Sequence, residues 1–167
     1  MFKIFNKSNN LIFNSYINFI SNHLPEAIAE IRGNKNNALI TGKVEFFQTD
    51  NGTLVLTEIS NLPHNLTGDF FAMHIHSGDS CNQDQDGNFA NTPHYNPQNY
   101  THPSHAGDLP VILSNNGTAF SVVLTRRFKV RDIIGKTIFI HEQADDYRTD
   151  PSGNSGTKIA CGKIIGY

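Results

Sequence analysis

Five of the eight histidines in this chain (His74, His76, His94, His102 and His105) fall within a 32-residue window. His74-Ile75-His76 places two imidazoles at i and i+2, so on a strand both rings share one face while Met73 and Ile75 take the other. Such a pair is a preorganised chelate. His141 ends the apolar run Thr137-Ile138-Phe139-Ile140-His141 and can join the pair from a neighbouring strand. His94 sits in Pro93-His94-Tyr95-Asn96-Pro97, where the prolines stiffen the loop. His102-Pro103-Ser104-His105-Ala106-Gly107-Asp108 has the form H-x-x-H-x-x-D, and three-residue steps on a tight turn aim all three side chains at one point. Imidazole nitrogens with a single carboxylate suit tetrahedral zinc; a three- or four-imidazole set without sulfur suits zinc or tetragonal copper(II). Each motif alone is a weak signal. Six histidines and one aspartate together read as a metal site, whereas His23 and His64 match no motif and read as surface histidines.

The elements that must hold these groups are short β segments separated by turn chemistry. Candidate strands are Ala27–Ile31, Ala38–Gln48, Thr53–Ile59, Phe70–His76, Ala119–Leu124, Lys136–His141 and Ile159–Ile165. Asp50-Asn51-Gly52 and Asn115-Asn116-Gly117 are hairpin signals. Turns at this spacing predict a sandwich or barrel of seven or eight strands, and no helix-period segment is evident after residue 25. Residues 77–110 and 142–157 lack periodicity. Loops of that length are expected only where function or a tether orders them.

A chain of 167 residues is one domain's worth. With 38% hydrophobic and 17% charged residues it is not a disordered polyelectrolyte. No stretch reaches the roughly 20 apolar residues of a membrane-spanning helix. A net charge of −2 lacks the basic field that holds phosphate backbones, so nucleic acid is not an expected partner. Residues 1–24 form an N-terminal extension ahead of a domain at 25–167. Asn14, Ser15 and Asn18 interrupt its apolar run and no small-residue cleavage site follows, so it is not a clear export signal. That favours a cytoplasmic location slightly over an extracytoplasmic one. Apolar residues at 12, 16, 19 and 20 fit one face of a short helix, which Pro25 ends.

Over most of residues 26–167 the motifs resemble the copper/zinc superoxide dismutase family, its bacterial branch in particular. They are His74-Ile75-His76, Cys81 five residues on, P-H-Y-N-P at 93–97, H-A-G-D-L-P at 105–110, I-H-E-x-A-D-D at 140–146 and G-N-S-G-x-x-x-A-C-G at 153–162, in the family's order. The resemblance implies an all-β, eight-stranded Greek-key barrel or sandwich with two long functional loops. It implies copper between His74, His76, His94 and His141, and zinc between His94, His102, His105 and Asp108. His94 is then a shared imidazolate, since imidazole has two ring nitrogens and two cations are needed to hold it deprotonated near neutral pH. Asp145 resembles the outer aspartate that accepts from His102 and His74. Cys81 and Cys161, the only cysteines, would form a disulfide, in tension with the absent export signal. The implied reaction converts superoxide anion to dioxygen and hydrogen peroxide as copper cycles between its two oxidation states, with His94 leaving copper to carry a proton. The family contains both monomers and dimers, so a homodimer is compatible with it.

Three departures stand out. Lys158 occupies the position of the family's substrate-guiding arginine, keeping the charge but losing the planar fork. Only Pro103 and Ser104 separate His102 from His105, and Pro103 restricts the His102 backbone, which puts zinc more in doubt than copper. Arg148 is the only basic side chain in 142–157. The competing reading is a copper-delivery or metal-buffering module on the same fold, opposed by the presence of all four copper ligands. A zinc hydrolase would need an open water position that His94 closes.

Overall fold

Alternation of inward and outward residues accounts for most of the architecture. In β1 (Ala27–Gly33) Ala27, Ala29 and Ile31 are buried while Glu30 and Arg32 face solvent, the period-2 pattern of a sheet with one wet face. The computed structural model describes residues 7–167, with side chains from residue 15 onward. Along the chain follow β2 (Thr41–Thr49), β3 (Gly52–Ser60), β4 (Phe70–Phe71), β5 (Met73–His76), β6 (Ile112–Leu113), β7 (Ala119–Thr125), β8 (Thr137–His141) and β9 (Lys158–Gly166). Seven of them form one antiparallel sheet in the order β5-β8-β9-β1-β2-β3-β7, and β4 pairs with β6 as a separate ribbon. The sheet curls around a core built from Val44, Phe46, Val55, Ile59, Phe71, Met73, Ile75, Ile138, Ile140 and Ile164. Burying each such side chain contributes about 1.5–3 kcal/mol.

The expected strand Phe70–His76 is broken at Ala72, whose N–H donates to the Gln143 carbonyl and whose carbonyl accepts from His141 N–H. Phe70–Phe71 therefore pairs elsewhere, with Ile112–Leu113, a two-residue strand too short to show alternation in the sequence. The segment expected from Ala38 begins at Thr41. Asn34 accepts from the Asn37 N–H and starts a 3-10 turn at Lys35–Asn37 ahead of it. A four-residue helix, α2 (Val130–Ile133), lies where no helix was expected; Val130 and Ile133 bury its apolar side.

The N-terminal extension is helical, as its periodicity predicts: α1 spans Lys7–Asn22. Tyr16, Phe19 and Ile20 pack on the outer face of the β2–β3 hairpin against Phe47, Leu54 and Leu56, and position 12 of the expected stripe lies outside the described side chains. No described helix is long and apolar enough to cross a membrane.

Candidate metal centre

The period of the strand puts His74 and His76 on one face of β5, and Met73 and Ile75 on the face that joins the core. Antiparallel pairing sets β8 beside β5, and a register shift between Ile140 and His141 at its end re-aims His141. His94 comes from the long loop, where isolated bridges pair His76 with His94 and His74 with Asp108. Three backbone bonds lock this arrangement: Ile75 N–H to Gly107 O, Tyr95 N–H to Ile75 O, and Gly107 N–H to Tyr95 O, at 2.8–2.9 Å. Gly107 allows it, because a Cβ there would overlap the Ile75 carbonyl.

Two groups of donor atoms result, each with its atoms within 4.8 Å of one another: His74, His76, His94 and His141, and His94, His102, His105 and Asp108. All seven side chains are buried. His94 belongs to both groups. One ring atom, Nδ1, stands 2.7 Å from Asp108 Oδ1 and 3.4 Å from His105 Nδ1, while Nε2 faces the first group.

Which nitrogen each ring offers is decided by what holds the other one. His76 Nδ1 donates to the Thr92 carbonyl at 2.7 Å, leaving Nε2. His141 Nδ1 lies 3.1 Å from Ser155 Oγ and 3.4 Å from Gly156 O, again leaving Nε2. His74 Nε2 and His102 Nε2 donate to the two oxygens of Asp145, at 2.7 and 2.9 Å, so each turns Nδ1 inward. The inward atoms His74 Nδ1, His76 Nε2, His94 Nε2 and His141 Nε2 are buried with no hydrogen-bond partner, as is His102 Nδ1. Buried polar atoms are otherwise almost always paired. Four buried lone pairs facing one another are a donor set for a cation.

Electrostatics point the same way. Burial, with neighbouring imidazoles, pushes His76 and His141 well below the ordinary histidine range, and burial lowers His94 against the pull of Asp108. Neutral rings are the form that binds metal. Burial alone would raise Asp145, but bonds from His74, the Tyr147 N–H and His102 outweigh it and hold the carboxyl at about 2. Asp108 is likewise lowered, its burial outweighed by His94 and the other two imidazoles. Both carboxylates stay ionised.

His102 does not turn away from its group despite Pro103: its Nδ1 lies 3.1 Å from Asp108 Oδ2. Cys81 and Cys161 are bridged, with Cα atoms 5.7 Å apart, tying the long loop to β9. A cavity of about 480 Å³ opens over His76, His94 and His141 and is lined also by Lys158 and Pro151. Lys158 Nζ donates to the Ala90 carbonyl at 2.8 Å and lies 4.6 Å from the Phe139 ring centroid. Burial lowers its pKa to about 8. Arg148 is exposed and does not line the cavity. His23 and His64 lie outside the site, exposed; His64 pairs with Asp69 at 2.9 Å. The sequence assigns no role to Thr92, Ser155 or Gly153: the Thr92 carbonyl and the Ser155 hydroxyl hold the outer nitrogens of His76 and His141, and Gly153 leaves room for Asp145. Gly153 and Ser155 do lie in the G-N-S-G motif, whereas the only trace of Thr92 is the turn-forming composition of its loop.

A curled antiparallel sheet carrying two buried histidine clusters joined by one ring defines a dinuclear metalloprotein. The profile of the copper/zinc superoxide dismutase family matches residues 40–164. The Cu-Zn superoxide dismutase of Legionella pneumophila is 37% identical over 131 residues, covering 74% of this chain and 76% of that protein. The crystal structure of a superoxide dismutase-like protein from Bacillus subtilis superposes with a TM-score of 0.66 at 30% identity, covering 81% of this chain and 95% of that one. The Cu/Zn superoxide dismutase from Brucella abortus shares the fold with a TM-score of 0.65 at 23% identity, over 83% and 99% of the two chains. The chain belongs to the copper/zinc superoxide dismutase family.

Proposed function

We propose that this protein is a superoxide dismutase, converting two superoxide anions and two protons to dioxygen and hydrogen peroxide. In this reading His74, His76, His94 and His141 hold copper, and His94, His102, His105 and Asp108 hold zinc. The donor chemistry fits. Four imidazoles suit copper, and three imidazoles with a carboxylate suit zinc, whose donors stand roughly 3.4 Å apart on a tetrahedral ion at about 2.1 Å. When bound, copper supplies one-electron exchange with superoxide, and zinc supplies a fixed positive charge on the Nδ1 side of His94.

The chain's own residues do the rest. His94 Nε2, facing the cavity side of the first cluster, is the atom that takes up a proton and passes it to reduced superoxide. Its Nδ1 stays with Asp108 and His105, so the ring keeps its place through the cycle. Asp145 joins His74 of one cluster to His102 of the other and keeps both rings aimed. Lys158 presents its ammonium at the cavity and draws in an anion against the overall charge of −2.

The observation that carries this reading is the sharing of His94: one buried ring, with a nitrogen in each donor group. Metal content and superoxide-dependent turnover of the copper- and zinc-loaded protein, before and after a chelator, test it. The expectation is one copper and one zinc per chain, with turnover lost on chelation. Copper uptake without turnover would instead indicate delivery or buffering.

A further inference from the structure

The turn that carries His105 and Asp108 presents its side chains to the donor cluster and its carbonyls to the opposite side. Three of those carbonyls converge on one group. Arg127 Nη1 lies 2.8 Å from Pro103 O, 3.0 Å from Asp108 O and 3.2 Å from His105 O. A guanidinium nitrogen carries two hydrogens, so the three acceptors share them, and the positive charge offsets the repulsion of three convergent carbonyl dipoles.

The base from which Arg127 reaches is itself fixed. It lies two residues beyond the end of β7, and its neighbour Phe128 is buried in the core. The Phe128 carbonyl accepts from Thr53 Oγ1 at 3.0 Å, and Val130 N–H donates to Gln48 Oε1 at 3.0 Å. The guanidinium is therefore a strut between the β2–β3–β7 wall of the sheet and the turn at 103–108. The turn needs one. It has no strand of its own, and between His102 and His105 there are only two residues, Pro103 and Ser104. Internally it is held by His105 N–H to Asp108 Oδ2 at 2.9 Å, a contact that uses the same carboxylate the cluster needs.

We infer that Arg127 is a positioning residue for the zinc half of the centre: by gripping the Pro103, His105 and Asp108 carbonyls it sets the backbone from which His105 and Asp108 reach the ion. This rests on the reading of His94, His102, His105 and Asp108 as the zinc site. Arg127 touches no ligand atom, so its effect is on affinity and geometry at that ion. Groups that hold metal ligands from behind commonly govern affinity by about ten- to hundredfold.

The test compares the wild type with Arg127→Met and Arg127→Lys. Zinc affinity is measured by competition with a chromophoric chelator, the absorption spectrum is recorded with cobalt(II) in place of zinc, and unfolding is followed in excess chelator. Arg127→Met is expected to weaken zinc by about ten- to hundredfold and to alter the cobalt(II) spectrum, with unfolding in chelator unchanged. Arg127→Lys, whose ammonium still donates to carbonyls, is expected to regain part of that affinity. Zinc affinity and cobalt(II) spectrum equal to the wild type in Arg127→Met would overturn the role of Arg127 alone. A wild type that takes up no zinc would overturn the metal assignment and this inference with it.

Discussion

Gly153 lies so close to Asp145 that a Cβ at residue 153 would occupy the space of the Asp145 carboxylate and press on His102 Nε2. The glycine also sits at a φ of +63°, a conformation L side chains rarely adopt. The loop at 142–157 thus closes over the aspartate that joins the two clusters, and it can do so only without a side chain at that point. Gly153→Ala is expected to push Asp145 off His74 and His102 and to weaken metal retention by about tenfold or more. Metal content after dialysis against a chelator checks this; retention equal to the wild type would show that the carboxylate does not need that space.

Among the described residues Lys158 carries the only positive charge lining the cavity over His76, His94 and His141, and its ammonium is tied to Ala90 O. An arginine could keep that bond and still aim donors into the cavity. Lys158→Arg is expected to raise the second-order rate with superoxide at low ionic strength. Lys158→Met is expected to lower it by about tenfold and to flatten its salt dependence. Pulse radiolysis across a salt series measures both, and equal rates in all three proteins would remove Lys158 from substrate guidance.

The Cys81–Cys161 bridge closes a loop with a sequence separation of 80. In the chain-entropy account a loop of about that length stabilises by roughly 4–5 kcal/mol. Cys81→Ser with Cys161→Ser is expected to lower the melting temperature by roughly 10 °C or more. Calorimetry of the two proteins, equally metal-loaded, reads the difference.

Asp146 caps the turn that follows Asp145. Its Oδ1 accepts from the Arg148 and Thr149 N–H groups, and Oδ2 from Thr149 Oγ1 and Asn154 Nδ2. The Thr149 hydroxyl leads these contacts in lowering its pKa from 3.8 to about 2. A depressed carboxyl pKa stabilises the fold fully above the unfolded value and loses that effect as pH falls through the folded one. The stability difference between wild type and Asp146→Asn is therefore expected to be constant above about pH 4 and to shrink as pH falls toward 2. Carboxyl NMR titration should show the midpoint rising in Thr149→Val; a midpoint that does not move would contradict the cap.

The extent to which the site could be read in advance follows from how far each constraint reaches along the chain. His74 and His76 share a face because strand periodicity is a two-residue property. The hairpin turns at Asn51-Gly52 and Asn116-Gly117 are likewise local. Both glycines hold positive φ, and the second turn's asparagine does as well. Helix α1 was visible for the same reason, in the spacing of Tyr16, Phe19 and Ile20. The pairing of Phe70–Phe71 with Ile112–Leu113 was not, since two residues carry no period and their partner lies about 40 positions away.

By itself the sequence determined the inventory: which imidazoles and carboxylates are available, which of them share a strand face, and where the chain turns. Tertiary structure alone decided which nitrogen of each ring looks inward, because that depends on Thr92 O, Ser155, Gly156 and Asp145 arriving from other loops to occupy the opposite nitrogen. It alone also brought Arg127 to the backs of His105 and Asp108, across 22 and 19 residues of chain. Donor identity is written residue by residue, whereas the orientation of a donor is fixed by contacts between segments that meet only once the sheet has closed.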